Sequence, residues 1–331
     1  MTIQNQQGRT LIELMVVIAI SLIITLAVAL IFLSVNRTSR YSGELSNVED
    51  TGRVAMFFMG NAIRQAGYAE IVGSERTIAE LGANTRANTL LADNLHLAGC
   101  NGSIFATDQV GVNAPVCSGA SGFDALMVSY QGNNIIGPNQ TNVTDCLGNN
   151  PVARDLPNGH VGQNVTLNRP VVQNFYFVEN NNLMCRAGTA DAQTLIPNVQ
   201  QFRVYFGFDQ TRFDAPSPMR VAPSGNEELV PSAAQTYVDA NFLNDPARDR
   251  TRAWDHVVSV YICLVVRSAP GLSPAAGVAA AQYRGCPDNA AGVNADLPAV
   301  NNDDGGVYRT YTQIFTVRSR ATPNPTTFEP I

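Results

Sequence analysis

The hydrophobic pattern at the start of the chain predicts one long helix whose two halves differ. From Leu14 to Leu33 the sequence is an uncharged run of apolar residues, softened only by Ser21 and Thr25. A run of about 20 helical residues spans roughly 30 Å, the thickness of a bilayer's hydrocarbon core. It therefore predicts a transmembrane segment over residues 14–33.

The second half of the helix, residues 34–66, is predicted to be amphipathic. Small and hydrophobic residues recur at alternating spacings of four and three, namely Tyr41, Leu45, Val48, Gly52, Ala55, Met59, Ala62 and Ala66. This spacing is typical of a helix that packs one stripe against a domain. We interpret Phe57 and Phe58 as core residues that thicken the stripe, and Gly67 as the stop signal.

Several later segments have the patterns of strands. Residues 171–178, 202–208 and 311–317 alternate hydrophobic and polar side chains, as half-buried strands do. Residues 257–266 are apolar on both faces, which predicts a central strand that the helix covers on one side. The predicted fold class is therefore α+β, a long N-terminal helix packed on an antiparallel sheet.

Long loops are predicted to decorate this sheet. Residues 69–167 are rich in Gly, Asn and Ser, which indicates loops around short strands such as 125–130. Residues 209–252 are rich in Pro, Asn and Asp, and residues 268–300 contain clusters of Pro and Ala. We interpret both segments as surface excursions, long loops that leave the sheet. Loops of that length are often functional.

Composition excludes several kinds of chemistry. All 21 basic residues are arginine, so there is no lysine for a P-loop, a Schiff base or a Ser–Lys dyad. The net charge of −6 argues against a nucleic-acid surface. No H-E-x-x-H motif or Ser–His–acid grouping is visible. We therefore predict a protein that is not an enzyme and needs no cofactor.

Metal sites are weakly indicated. His96, His160 and His256 are scattered, and we interpret His256, beside Trp254, as packed at the entry of a strand. The turn containing Asp303 and Asp304 has oxygen ligands of the kind calcium takes, but it lacks the spaced acidic pattern of a calcium loop. A solvated turn is the preferred interpretation.

Six cysteines follow the apolar run and none forms a C-x-x-C pair: Cys100, Cys117, Cys146, Cys185, Cys263 and Cys286. An even number beyond a membrane span favours disulfides in an oxidising compartment over a metal site. Six cysteines allow 15 pairings, of which we favour nearest neighbours: Cys100–Cys117, Cys146–Cys185 and Cys263–Cys286. Free buried thiols remain the alternative, because Cys263 lies within an apolar strand pattern.

The segment before the apolar run resembles a known processing signal. Gly8, followed by Arg9-Thr10-Leu11-Ile12-Glu13-Leu14, is similar to the class III signal of type IV prepilins and pseudopilins. That resemblance implies cleavage after Gly8 by a prepilin peptidase and methylation of the new N-terminus. It also implies that Glu13 pairs with the terminal amine of a neighbouring subunit. The chain has Arg9 where the family usually has Phe.

A second segment narrows the resemblance. Residues 49–55 and 63–68 resemble the PilW family of minor pilins, with an acid-x-Gly-Arg turn of helix and an Arg-x-Ala-Gly-Tyr ending. Fainter echoes are residues 124–126 opening a strand, 183–186 preceding one, and the closing strands 257–267 and 315–320. The implied organisation is a leader (1–8), a long helix (9–67) and a periplasmic or extracellular head (68–331).

The resemblance implies a structural role in type IV pilus assembly, adhesion and twitching motility. The implied partners are the prepilin peptidase, other minor pilins, the major pilin and an inner-membrane assembly platform, with the apolar run in the lipid before assembly. The implied location is the inner membrane and then the fibre, at its tip.

Two rival functions fit the same N-terminus: a minor pseudopilin of type II secretion, and a tip adhesin that uses the loops at 209–252 and 268–300. A plain membrane anchor explains the length of the run but neither Gly8 nor Glu13. A cleaved secretory signal would have a shorter apolar core and a small-residue cut site after it.

Overall fold

The computed structural model describes residues 11–68, 96–106, 116–131, 143–150, 153–156, 167–188, 190–210, 219–221, 227–229, 234–247, 253–254, 256–268, 282–302 and 305–317. The predicted leader, with Gly8 and Arg9, lies outside these residues. So do His160 and the calcium candidates Asp303 and Asp304.

One helix, α1, runs from Leu11 to Gln65 and is about 82 Å long at 1.5 Å per residue. The chain leaves the helix through Gly67, whose φ of 70° lies in the left-handed region that glycine adopts without strain. The amide of Gly67 donates to the carbonyl of Ser129 at 2.9 Å, which ties the end of the helix to the head. The predicted stop at Gly67 is confirmed.

The buried side of α1 follows the predicted stripe over its last five turns, at Val48, Gly52, Ala55, Met56, Met59, Gly60, Ala62 and Ile63. The interpretation of Phe57 and Phe58 as core residues is wrong, because their side chains are 65% and 44% exposed. They follow Gly52 by five and six residues, which places them about 140° and 240° around the helix from it. Their side chains therefore lie outside the stripe that packs on the sheets.

The first half of the head forms a six-stranded antiparallel sheet and a small hairpin. The strands are β1 (Leu97–Cys100), β2 (Ile104–Phe105), β3 (Cys117–Ser118), β4 (Ala125–Gln131), β5 (Ala153–Leu156), β6 (Leu167–Glu179), β7 (Asn182–Ala187) and β8 (Gln193–Ile196). The sheet has the order β1-β4-β6-β7-β8, with β5 also paired to β6, and β2 pairs with β3. Residues 183–186 lie within β7, so our expectation that they precede a strand is wrong.

The second half forms a four-stranded antiparallel sheet, two hairpins and short helices. The elements are β9 (Val199–Phe208), β10 (Met219–Val221), β11 (Glu227–Leu229), β12 (Thr236–Val238), α2 (Ala240–Leu243), β13 (Val257–Arg267), β14 (Gln282–Arg284), a 3-10 helix (Ala290–Asn294), β15 (Ala299–Asn301) and β16 (Tyr308–Thr316). The sheet has the order β12-β9-β13-β16; β10 pairs with β11 and β14 with β15. Strand β13 is buried from Val257 to Val266, so the predicted central strand is confirmed.

Both predicted excursions return to the four-stranded sheet. Residues 209–252 contain β12, an edge strand of that sheet, so this segment is not only a surface loop. Part of residues 268–300 covers the sheet face that points away from the main core. There the Tyr205 hydroxyl donates to the carbonyl of Pro287 at 2.7 Å, and the Cys286 amide donates to the Gln201 side chain at 2.6 Å.

Three disulfides join the six cysteines, in the pairs Cys100–Cys117, Cys146–Cys185 and Cys263–Cys286. This is the nearest-neighbour arrangement. Each bond attaches a loop to a strand of a sheet: the β2–β3 hairpin to β1, the loop before β5 to β7, and the segment after β14 to β13. Disulfides of this kind compensate for loops that bury little apolar surface of their own.

The main core lies between α1 and the two sheets. Its largest fully buried side chain is Trp254, the only tryptophan in the chain, which packs edge-on against Phe206 with 4.8 Å between ring centroids. The indole nitrogen of Trp254 donates to Asn244 at 3.0 Å. His256 lies at the entry of β13 with its ring 6.4 Å from that of Phe208, as the interpretation of a packed histidine predicted.

A buried carboxylate connects the two sheets. Asp124 is 3% exposed, at the start of β4, and accepts hydrogen bonds from the amides of Gly102 and Val204, each at 2.9 Å. It also accepts one from the guanidinium of Arg203 at 3.2 Å. Burial raises the pKa of the Asp124 carboxyl, while these hydrogen bonds and the Arg203 charge act in the opposite direction.

Candidate assembly site

The first half of α1 is uncovered along its whole length. Every large hydrophobic side chain from Leu11 to Val35 is more than half exposed, and the most apolar part of the helix buries nothing against the head. By length and composition, α1 is able to cross a membrane. A continuous apolar surface of this extent needs lipid or other proteins to cover it.

Backbone and side-chain polar groups in this half are suited to an apolar environment. The hydroxyl of Ser21 donates to the carbonyl of Ile18 at 2.9 Å, and that of Thr25 donates to Ser21 at 2.8 Å. Because an α-helix also satisfies its own backbone groups, residues 14–33 have no polar group that requires water. The same hydroxyls are therefore compatible with lipid and with packed helices.

Glu13 is the one charged residue of α1 before Arg37. It is exposed, and within the part of the chain that the structure describes it has no ion-pair partner. A carboxylate is costly in an apolar environment unless a cation or a proton compensates it. A partner for Glu13 in the membrane or in a fibre would therefore come from residues outside the described ranges or from another molecule.

The second half of α1 is held against β16 through two glycines. The ring of Tyr311 occupies the space that a Cβ at Gly52 would need, and the ring of Phe315 does the same at Gly60. The Tyr311 hydroxyl also donates to the carbonyl of Val48 at 3.1 Å. Burial raises the pKa of this phenol. Aromatic rings placed in glycine gaps fix both the rotation and the height of the helix on the sheet.

The remaining site candidates are the buried histidines and the turn that begins at Asn302. His96 and His256 are both buried in the head, and the amide of Asp209 donates to the carbonyl of His256 at 2.9 Å. Across the described residues no group of three His, Cys, Asp or Glu side chains is able to hold a metal ion. Next to the calcium candidates Asp303 and Asp304, the Asn302 side chain is hydrogen-bonded within its own turn, to Gly305 and Gly306.

Asp124 was missed as a structural residue by sequence reasoning. Its signal is a single acid directly before the apolar strand β4, a pattern that is also common at exposed strand ends. Its partners Arg203 and Val204 are 79 and 80 residues away in sequence, so no local pattern could reveal them.

Two family models match the chain. Residues 3–29 match the prokaryotic N-terminal methylation motif, and residues 171–319 match the model described as type IV pilus-assembly protein W. The first range contains Gly8, Arg9 and Glu13. The second contains the four-stranded sheet that holds the helix.

One similar solved structure is a type IV-like pilin from Thermus thermophilus. It is 13% identical, and the alignment covers 85% of this chain and 99% of that chain with a TM-score of 0.32. At that TM-score the likeness decides nothing about this chain. No curated protein matches.

The N-terminal motif, together with a half-exposed helix on antiparallel sheets, defines the class: this is a type IV pilin-like protein. Within that class, the match over residues 171–319 supports a PilW-type minor pilin. The resemblance seen in the sequence is thereby confirmed.

Proposed function

We propose that this chain joins other minor pilins in a complex that primes type IV pilus assembly at the inner membrane and then stays at or near the fibre tip. The observation that supports this most strongly is the uncovered apolar half of α1, which carries Glu13. The other half of the same helix packs on a large head. In this proposal the role is structural, and the head performs no catalysis.

The proposed course of events begins with removal of the leader, residues 1–8, by a prepilin peptidase. Residues 14–33 first lie in the bilayer, with the disulfide-bonded head in the oxidising periplasm. During assembly the same surface leaves the lipid and packs against the equivalent segments of neighbouring minor and major pilins. Lipid and packed helices both cover apolar side chains, so the transfer does not expose them to water.

Glu13 is proposed to pair with the N-terminal amine of the adjacent subunit. Each charge alone is unfavourable in the apolar interior of a fibre, and together they offset each other's desolvation. The pair also sets the axial position at which a new subunit docks, because only one register brings the two charges together.

Replacement of Glu13 by alanine or glutamine is expected to reduce piliation strongly while leaving membrane insertion intact. The loss arises because the neighbour's amine would stay buried without a counter-charge. Surface pili are counted by electron microscopy in a strain that depends on this chain, and the amount of chain in the inner membrane is measured in parallel.

The matched control is Glu44→Gln, which removes a carboxylate from the same helix beyond the apolar run and should leave piliation normal. Intact-mass analysis of each variant should find a chain that begins at Arg9 when the peptidase is present. Normal piliation by Glu13→Ala would contradict the pairing role, and a chain that still begins at Met1 would contradict the assembly function as a whole.

A further inference from the structure

A groove runs along the head where α1 meets the outer edge of the four-stranded sheet. It is lined by Arg53, Met56, Phe57 and Arg64 of the helix and by β16 from Thr310 to Gln313 and at Phe315. Its volume is ≈ 480 Å³. Phe57, which was expected in the core, lies on its wall and is largely exposed.

The strand that forms one side of this groove, β16, lies at the edge of the four-stranded sheet. Strand β16 pairs with β13 on one side, and among the described residues no strand pairs with its other side. Natural edge strands are usually protected by proline, lysine, a bulge or extreme shortness. Strand β16 is nine residues long, contains no proline and one charged residue, Arg309, and pairs with β13 in continuous register. At the start of β16 the Thr310 hydroxyl donates to the carbonyl of Arg284 in β14. From Tyr311 to Thr316 no described strand pairs with the outer side of β16.

The helical side of the groove is basic. Arg53 and Arg64 are 11 residues apart on α1, a distance of about 16 Å along the axis. Within the described part of the chain neither has an ion pair, and the guanidinium of Arg64 lies 5.5 Å from the centre of the Phe315 ring. Glu49 and Asp50 lie about one turn before Arg53, outside the groove lining, and Glu49 is paired with Arg309 at 3.7 Å.

We propose that this groove binds an extended, acidic segment of a second pilin-like subunit, different from this chain, which adds to β16 as a further strand. Backbone hydrogen bonds to an open edge provide affinity in this mode, and side-chain pockets provide specificity. The proposal rests on the proposed function, since it supplies a head-to-head contact in addition to the helix contacts.

The charges define the partner segment. A strand rises about 3.3 Å per residue, so carboxylates about four to six residues apart would reach Arg53 and Arg64. An apolar side chain between them would contact Phe57. A second copy of this chain fits poorly, because two copies joined edge to edge would place these arginines against one another.

The test is photocrosslinking in the cell's own membrane. The full chain carries p-benzoylphenylalanine in place of Phe57, whose exposure makes the replacement tolerable. We expect a crosslink whose peptide, identified by mass spectrometry, is an acidic extended segment of another chain with a prepilin signal. Arg53→Glu with Arg64→Glu should reduce the crosslink by about tenfold or more through like-charge repulsion.

Two matched variants separate charge from folding. Arg37→Glu with Arg40→Glu makes the same charge change on the same helix away from the groove, and should leave the crosslink unchanged. Arg53→Lys with Arg64→Lys keeps the charge and should retain most of it. Buried Trp254 fluorescence reports whether each variant is folded.

Several results would overturn the proposal: no crosslink, a crosslink to lipid or to a second copy, or a crosslink to a segment without acids. A crosslink that survives charge reversal at Arg53 and Arg64 would also overturn it. If Glu13→Ala abolishes piliation and any of these results is obtained, the groove proposal fails while the assembly function stands. The crosslink forms between chains in the membrane, so it can be measured whether or not Glu13→Ala changes piliation. The two proposals can therefore fail separately.

Discussion

A chain in which Asp124 is replaced by alanine is expected to lose about 3 kcal/mol of unfolding free energy, since buried donors left without an acceptor each cost about 1–3 kcal/mol. The amides of Gly102 and Val204 would both lose their acceptor, and Arg203 its counter-charge. These groups belong to the loop after β1 and to β9, so the change loosens the contact between the two sheets. Asp124→Asn keeps the shape of the side chain but places its NH2 group against a backbone N–H. It should therefore cost less unfolding free energy than Asp124→Ala.

The measurement is chemical denaturation followed by the fluorescence of Trp254, which is buried beside Phe206 and reports on the packed core. Asp296→Asn, at an exposed aspartate, is the control and should leave the midpoint within experimental error. An Asp124→Ala chain as stable as the control would show that the carboxylate does not hold the sheets together.

Substitution of alanine for Gly52 or Gly60 is expected to destabilise the head by about 1–3 kcal/mol each, the usual cost of overpacking. The added methyl would overlap the ring of Tyr311 or Phe315, so the helix must move away from β16. This loss should appear although alanine favours a helix over glycine by about 1 kcal/mol. The same denaturation experiment measures it.

Gly43 is the matched control for these two glycines. It lies in the same helix, and a Cβ built there meets nothing within 4 Å. Gly43→Ala should therefore stabilise the chain, by up to about 1 kcal/mol. The opposite signs at Gly43 and Gly60 distinguish close packing from helix propensity. Equal effects at all three positions would contradict the role given to the aromatic rings.

The elements that sequence reasoning located best are those with a local period. Helix α1, its stop at Gly67 and its buried stripe follow from spacing alone, because a helix repeats within four residues. The central strand β13 was equally readable, since burial on both faces makes it apolar throughout. Each disulfide joins two cysteines that are consecutive in the sequence, because each attaches a loop to a nearby strand.

Phe57 and Phe58 show where local reasoning failed. Hydrophobicity alone suggests burial, but the angle around the helix places both side chains on the open side. An exposed aromatic side chain on a helix that already packs on a sheet is available for contact with another molecule. Phe57 lines the groove beside β16, which no sequence pattern indicates.

The sequence by itself determined that the chain has a membrane-length apolar helix with one acid at its start, a stripe that packs on a head, and cysteines suited to an oxidising compartment. These properties depend on composition and on neighbours a few residues apart. Only the tertiary structure decided that the head has two sheets joined by Asp124, that glycines of α1 receive the rings of β16, and that β16 is an edge strand. Such contacts join residues up to 263 positions apart, and their formation depends on how whole elements pack rather than on any local pattern.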